Sequence, residues 1–380
     1  MDFELDEELV MVRDMARDFA DNELIPRATK HDRESKIDPD VFKMLGELGL
    51  WGLTVPEEYG GAGMGNLALA VVLEELNRGC ASTGVTVSVH NSLLGAPIKR
   101  FGTAEQKQAF LPALASGETL GAYCLTEAGA GSDAGALRTS AEDKGDHFLV
   151  NGEKLFVTNA DFAGLFLIYV RTGKTEDKAH GISALLVPGD TEGLKIATKE
   201  KKCGIRGSAT SSVELTNVIV PKENMLGELN SGFKVAMDTL DGGRIGIAAQ
   251  AVGIGRACLE ASVKYSKERE QFGREIGRFQ AIQWKLADMS TRLDASRLLV
   301  HRAAATRDSG KPCTPEAAKA KLFASITSNF CADECLQIHG GAGYTDDFHV
   351  ERLFRDARIT EIYEGATDIQ RLIIARDLLA

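Results

Sequence analysis

The chain has 380 residues, 44% apolar and 26% charged, the proportions of a soluble globular protein large enough for two or three domains or one multilayered unit. Its 44 basic and 55 acidic side chains leave a formal charge of −11, which argues against nucleic acid or an anionic membrane as the main partner. The acidic start Met1-Asp2-Phe3-Glu4-Leu5-Asp6 lacks the basic region of a secretory signal, and no uncharged apolar run reaches membrane-spanning length.

Leu5, Leu9, Val12, Ala16 and Phe19 recur at steps of three and four and predict a first helix. The pattern repeats over 41–50 and 67–76, separated by the turn chemistry of Pro56-Glu57-Glu58-Tyr59-Gly60-Gly61-Ala62-Gly63. Residues 104–114 predict another helix with Thr103 as N-cap. Near Gly117 the character changes. Asn151-Gly152 between His147-Phe148-Leu149-Val150 and Glu153-Lys154-Leu155-Phe156-Val157 predicts a two-residue hairpin. Strands are expected over 165–170 and 182–187, with a last pair at 213–215 and 218–220. After Pro221 long helical patterns return over 233–265, 279–308 and 315–338, and 368–380 closes the chain. The organisation is a helical domain at 1–116, a β domain at 117–228 and a helical domain at 229–380. The seven cysteines are scattered, form no Cys-x-x-Cys pair and read as buried reduced thiols of a cytosolic protein, which leaves no zinc site.

Five segments carry possible chemistry. Tyr123-Cys124-Leu125-Thr126-Glu127-Ala128-Gly129-Ala130-Gly131-Ser132-Asp133 follows a predicted strand; its glycines let backbone approach a flat or phosphorylated ligand, although the spacing fits neither a P-loop nor a dinucleotide fingerprint. Phe156-Val157-Thr158 ends the expected hairpin. Arg269-Glu270-Gln271-Phe272-Gly273 reads either as a charged helix end stopped by glycine or as an arginine meeting phosphate. Gln337-Ile338-His339-Gly340-Gly341-Ala342-Gly343 holds more glycine than a helix cap needs, with His339 a packing residue or a base. Asp241-Gly242-Gly243-Arg244 is placed at a helix start. Above all, Glu364 stands between Tyr363 and Gly365 in an apolar helical tail, where burial would raise its pKa and make it a usable base for a weak carbon acid.

Taken together, and in this order, the segments resemble the acyl-CoA dehydrogenase family over essentially the whole chain. Thr239-Leu240-Asp241-Gly242-Gly243-Arg244-Ile245-Gly246-Ile247-Ala248 and Ile362-Tyr363-Glu364-Gly365 are most similar to its short-chain (butyryl-CoA) branch. The resemblance implies a mainly α fold with a β middle domain: an N-terminal helical domain, a central β-barrel-like domain and a C-terminal four-helix bundle. It implies FAD as cofactor and a homotetramer that uses acyl-CoA and passes electrons to electron-transfer flavoprotein. The setting would be the cytoplasm, or the mitochondrial matrix for a processed eukaryotic chain.

By position, Tyr123, Leu125, Thr126, Gly131, Ser132, Phe156 and Thr158 would meet the flavin. Arg269, Phe272, Gln280, Gln337 and Gly341 would meet its dinucleotide half, partly across a subunit interface, and Thr367 and Asp368 its phosphates. Ser132, Asp241, Arg244, Gly365 and Arg376 would bind substrate. Phe156 replaces a commoner Trp, and Ala366-Thr367 a commoner Thr-Ser. Glu364 would take the α-proton of the thioester while its own backbone N–H polarises the thioester carbonyl. The family's other location for a base corresponds here to Gly243, which cannot accept a proton. Residues 86–93 would line the acyl pocket, where His90 and Asn91 either face away or mark a branched, cyclic or carboxylated acyl group. A non-catalytic flavoprotein scaffold is the competing reading, and the retained Glu364 argues against it.

Overall fold

A computed structural model describes residues 4–380. The N-terminal helices are α1 (Glu7–Phe19), α2 (Ile25–Glu34), α3 (Pro39–Glu47), α4 (Asn66–Gly79), α5 (Ala81–Ser88), α6 (Ala96–Phe101) and α7 (Ala104–Ser116). Asp6 caps α1 by accepting the Leu9 N–H at 2.8 Å. Thr103 and Gln106 form a reciprocal capping box on α7, so the Thr103 N-cap expected from the sequence is present. A π-helical segment, Val89–Gly95, joins α5 to α6. It brings His90 and Asn91 inward, where both are buried and bonded to backbone groups. Gly121 N–H donates to His90 Nδ1 at 3.2 Å, and His90 Nε2 lies 3.0 Å from the Leu114 carbonyl. Asn91 donates to the Leu50 and Val87 carbonyls. Both side chains are structural clamps.

The middle of the chain forms β1 (Leu120–Cys124), β2 (Ser140–Asp143), β3 (His147–Thr158), β4 (Ala163–Arg171), β5 (Ile182–Pro188), β6 (Leu194–Lys199), β7 (Thr210–Pro221) and β8 (Met225–Leu226). They make one sheet in the order β6-β7-β3-β2-β4-β5-β8, with β1 added in parallel to β4. The expected hairpin at Asn151-Gly152 is absent: β3 runs through it, and the register against β7 shifts there as a bulge. Gly152 has φ 150°, and a Cβ on it would lie 2.7 Å from Thr139 Oγ1, so close approach of the preceding chain is what requires glycine. The real hairpin is one element earlier, with Asp143 opposite Phe148 around Gly145. Likewise, the expected strand pair at 213–220 is one strand, β7, with Asn217 at positive φ.

The C-terminal part contains α8 (Gly232–Glu268), the short hairpin β9 (Glu270–Gln271) and β10 (Arg274–Glu275), then α9 (Gln280–Asp308), α10 (Thr314–His339), α11 (Val350–Arg358) and α12 (Thr367–Leu379). Helix α8, expected over 233–265, ends at Glu268, so Gly273 is not its stop. Phe272 and Gly273, both at positive φ, turn the β9–β10 hairpin. Helix α10 packs along α8 and α9, with α11 and α12 against α10 and α4 against α8.

One core therefore spans the N- and C-terminal helices, from Leu73 and Leu76 to Ile247, Val252 and Leu293. A second joins α6, α7 and α8 to one face of β4 through Leu165, Leu167 and Tyr169. A third fills the other face, where Phe166, Ile168 and Val170 meet β3 and β7. The period-two alternation of β4 thus serves two apolar layers. Six cysteines are buried; Cys203, contrary to the expectation for all seven, is exposed. Among the described residues, no helix is long and apolar enough to cross a membrane and no acid, histidine and cysteine cluster is fit to hold a metal.

Candidate active site

Glu364 does not lie in a helical tail. It sits in the loop between α11 and α12, with φ 49°, followed by Gly365 at φ 91°. Two successive left-handed residues reverse the chain sharply, and a non-glycine residue there is disfavoured unless its surroundings hold it. Those surroundings are specific. The Tyr363 hydroxyl donates to Gln250 Oε1 on α8. The Gly365 carbonyl accepts from Lys321 Nζ at 2.6 Å and from Gln370 Nε2 at 2.8 Å. A Cβ at position 365 would lie 2.5 Å from Gln370 Nε2 and would have to displace that amide, so the positive φ and the Gln370 contact both favour glycine. Thr367 Oγ1 donates to the Glu361 carbonyl and closes the loop.

The turn aims the carboxylate at α8. A Cβ on Gly243 would lie 2.2 Å from Glu364 Oε2 and 2.7 Å from Leu93 Cδ2. The bare helix backbone at Gly243 is thus one wall of the site, and Leu93 is its neighbour. Glu364 Oε2 is buried and has no hydrogen-bond partner. Burial pushes the carboxyl up to about 7; the cations of Lys321 and then Arg244 oppose that rise without cancelling it. A buried carboxylate poised near neutrality and left without a hydrogen-bond partner is a candidate proton acceptor. Among the described residues the Glu364 N–H makes no hydrogen bond, so a donor is free beside the base.

Asp241 and Arg244 are neither at a helix start nor on the surface. They lie inside α8, both buried, with Arg244 Nη1 donating to Asp241 Oδ1 at 2.6 Å. Arg244 Nε is buried and unpartnered, and would be 3.7 Å from a Cβ on Gly365. On the opposite side Tyr123 packs on Tyr169 with ring centroids 5.1 Å apart, and its buried hydroxyl lacks a partner. Burial raises the Tyr123 phenol, as do Tyr169 and the Glu364 charge.

A second surface lies where β1 runs out. Leu155 N–H donates to the Thr126 carbonyl at 2.9 Å, which sets the loop after β1 beside Phe156. Buried Lys154 donates to Glu127 at 2.7 Å and to the Leu125 carbonyl at 3.2 Å, and Glu127 also accepts the Arg138 and Thr139 N–H groups. Gly129 and Gly131 border open space. Phe156 has φ 55° and is 62% exposed. A large apolar side chain held outward on a strained backbone, next to the partly accessible Thr126 and Thr158 and the exposed Gly131 and Ser132, fits a flat aromatic ligand.

The remaining expected contacts are elsewhere. Arg269, Phe272 and Gln280 are exposed around the β9–β10 hairpin, Phe272 at 94%. Gln337 and Gly341 are exposed at the end of α10, where His339 stacks on Tyr265 at 4.2 Å and hydrogen-bonds the Cys335 carbonyl. His339 is therefore a packing residue. Tyr265 is roughly 30 Å along α8 from Gly243 at 1.5 Å rise per residue. These groups meet the Glu364 region only through an extended ligand or a second copy of the chain. Asp368 and Arg376 are exposed on α12, Asp368 paired with Arg371.

Sequence reasoning missed Lys321 and Gln250. Each was visible as a polar residue at a buried helical position, Lys321 among Ala317, Ala318, Ala320 and Ala324, and Gln250 among Ala249, Ala251 and Val252.

Known proteins similar to this chain match it over essentially its whole length. Family models match three stretches: acyl-CoA dehydrogenase N-terminal domain at 6–118, middle domain at 122–218 and C-terminal domain at 230–379. The chain is 48% identical to the mitochondrial short-chain specific acyl-CoA dehydrogenase of Rattus norvegicus, covering 99% of this chain and 91% of that protein. It superposes on butyryl-CoA dehydrogenase from Megasphaera elsdenii with TM-score 0.98 and 41% identity, covering all of both chains. A chain from the structural study of the electron transferring flavoprotein of Acidaminococcus fermentans matches with TM-score 0.98 and 44% identity, again over all of both chains.

Proposed function

The chain belongs to the acyl-CoA dehydrogenase family, and from that premise we propose that it dehydrogenates a short-chain acyl-CoA to the 2-enoyl-CoA, with Glu364 as the base. The observation that carries this reading is the buried, unpaired Glu364 Oε2 against Gly243, with its carboxyl raised to about 7. Glu364 takes the α-proton as the Cα–Cβ double bond forms, and a hydride equivalent leaves Cβ. The free Glu364 N–H stabilises the negative charge that builds on the thioester oxygen. FAD, the cofactor of this family, supplies the two-electron acceptor when bound. Phe156, Thr126, Thr158 and the Gly129–Gly131 backbone would hold its ring system. Arg269, Phe272, Gln280, Gln337 and Gly341, exposed at the far end of the bundle, would hold the dinucleotide of a neighbouring copy in a homotetramer. Electrons would then pass to electron-transfer flavoprotein, in the cytoplasm or mitochondrial matrix.

A small acyl group is favoured by how soon the space closes. A Cβ on Gly246 would lie 2.4 Å from Ser88 Oγ, so α8 touches α5 there. Position 246 is only about 4.5 Å along the helix from Gly243. One turn further on, Gln250 is bonded to Tyr363 and donates to the Ala81 carbonyl. A long alkyl chain would have to displace buried polar pairs.

The test is anaerobic addition of butyryl-, octanoyl-, isobutyryl- and glutaryl-CoA to the yellow holoenzyme, read as loss of flavin absorbance. Butyryl-CoA is expected to bleach it fastest. Bleaching by octanoyl- or glutaryl-CoA alone overturns the substrate class, and no bleaching by any of them favours the scaffold reading. Reoxidation by electron-transfer flavoprotein much faster than by oxygen is expected.

The rate should also depend on pH in a stated direction. The base must be ionised, so bleaching rises through pH about 7 and levels off above it. At one unit below the midpoint the rate is about tenfold under the plateau. A rate that falls through the same interval would assign the proton transfer to another group.

A further inference from the structure

We propose that Lys321 is a positioning residue for the base: its ammonium fixes the Gly365 peptide, and with it the left-handed turn at Glu364, while keeping a positive charge beside the carboxylate. This rests on the reading of Glu364 as the base and adds to it the residue that sets the carboxylate's aim and ionisation.

Lys321 is 1% exposed on a face of α10 otherwise made of small residues. A buried ammonium is costly unless it is bonded, and apolar substitutes would fill the same space more cheaply. Its one hydrogen bond among the described residues is to the Gly365 carbonyl, at 2.6 Å. That carbonyl follows the two left-handed residues directly. It already accepts from Gln370, so Lys321 is the second of two donors that pin it. Without that donor the turn loses support on the side facing α10.

The electrostatic half of the proposal follows from what the other charges nearby are doing. Arg244, on α8, is bonded to Asp241 at 2.6 Å, and Asp241 also accepts from Thr314. Glu361, in the preceding turn, is paired with Arg358. Tyr123 on β1 and Tyr363 beside the base both have phenol groups raised by burial and remain neutral. Lys321, by contrast, makes no ion pair with any carboxylate among the described residues, and Glu364 is the acid that acts on it most, ahead of Glu361. Burial lowers Lys321 itself to about 8, with Glu364 the main group opposing that fall. The two groups therefore stabilise each other's charged forms.

The discriminating readout is the ionisation of Glu364, followed by the infrared carboxyl band that is missing in Glu364→Gln. It is measured on the FAD-loaded enzyme without substrate across pH. Lys321→Met is expected to raise the Glu364 midpoint by about one unit. Lys321→Arg, which keeps the charge, should leave it within a few tenths of wild type. Lys321→Gln keeps a donor for Gly365 but no charge, so it should raise the midpoint while losing less of the plateau rate than Lys321→Met does. That variant also serves if Lys321→Met fails to assemble. A midpoint unchanged in the uncharged variants, with activity lost at all pH values alike, overturns the proposal and leaves Lys321 as a fold residue. The base reading fails by a different result, rapid flavin reduction in Glu364→Gln, which would leave the infrared coupling of Lys321 to Glu364 still measurable.

Discussion

Glu364→Gln is expected to stay yellow, to bind acyl-CoA and to reduce its flavin at least about 10³-fold more slowly than wild type, near the upper part of the range for removing a general base. Glutamine keeps the shape of the side chain and leaves the backbone N–H in place, so the loss isolates proton transfer. The measurement is single-turnover bleaching with excess butyryl-CoA at pH 8. A variant that bleaches within tenfold of wild type would remove Glu364 from the chemistry. The same substitution has a stability signature with a definite sign. The folded state raises this carboxyl from 4.5 to about 7, so it binds the proton more tightly than the unfolded chain does. Its burial is therefore harmless below pH 4.5 and destabilises the fold increasingly as pH rises towards 7. Glu364→Gln should melt above wild type at pH 8, and the difference should close at acid pH.

Gly243→Ala has the second large expected effect, and it adds only one methyl group. The new Cβ would meet Glu364 Oε2 at 2.2 Å and Leu93 Cδ2 at 2.7 Å. Alanine is the better helix former, so α8 itself gains slightly. The carboxylate must move by roughly 1 Å, a displacement that costs on the order of 100-fold when reacting groups have to be aligned. FAD content should change little, and melting temperature only modestly, because both atoms met are the ends of side chains, the Glu364 carboxylate and the Leu93 methyl at the edge of the core. Adding Leu93→Ala relieves only the longer of the two contacts and is expected not to restore the rate. Recovery in that double variant would mean that Leu93 crowding, and not displacement of the base, caused the loss.

The two glycines at the base illustrate why some of the site was legible in advance and some was not. Gly365 could be read locally, since a glycine after an isolated carboxylate suggests a backbone conformation that other residues avoid. Gly243 lay within the helical pattern expected over 233–265, yet Asp241-Gly242-Gly243-Arg244 was also placed at a helix start, and two adjacent glycines do weaken a helix by about 1 kcal/mol each relative to alanine. Helix α8 runs through both glycines, held by packing on α4 and α10, and the missing side chain serves a residue far along the chain. Asn151-Gly152 was misread for a related reason. Asn-Gly signals a tight turn, but here only Gly152 has positive φ, at 150°, and the neighbouring Thr139 and the partner strand β7 make the pair a bulge within a continuous strand.

By itself the sequence determined the division into helical, β and helical parts, the long C-terminal helices, and Glu364 as the carboxylate to explain. Periodic burial and turn chemistry are local properties, written in residues close together in the chain. The tertiary structure decided what Glu364 faces, how far its pKa rises, that His90 and Asn91 are held by backbone groups, and that Lys321 stands behind its turn. Those are matters of distance and desolvation between side chains on α8, α10 and the loop after α11. Elements distant in sequence reach such separations only when the cores that join them have formed.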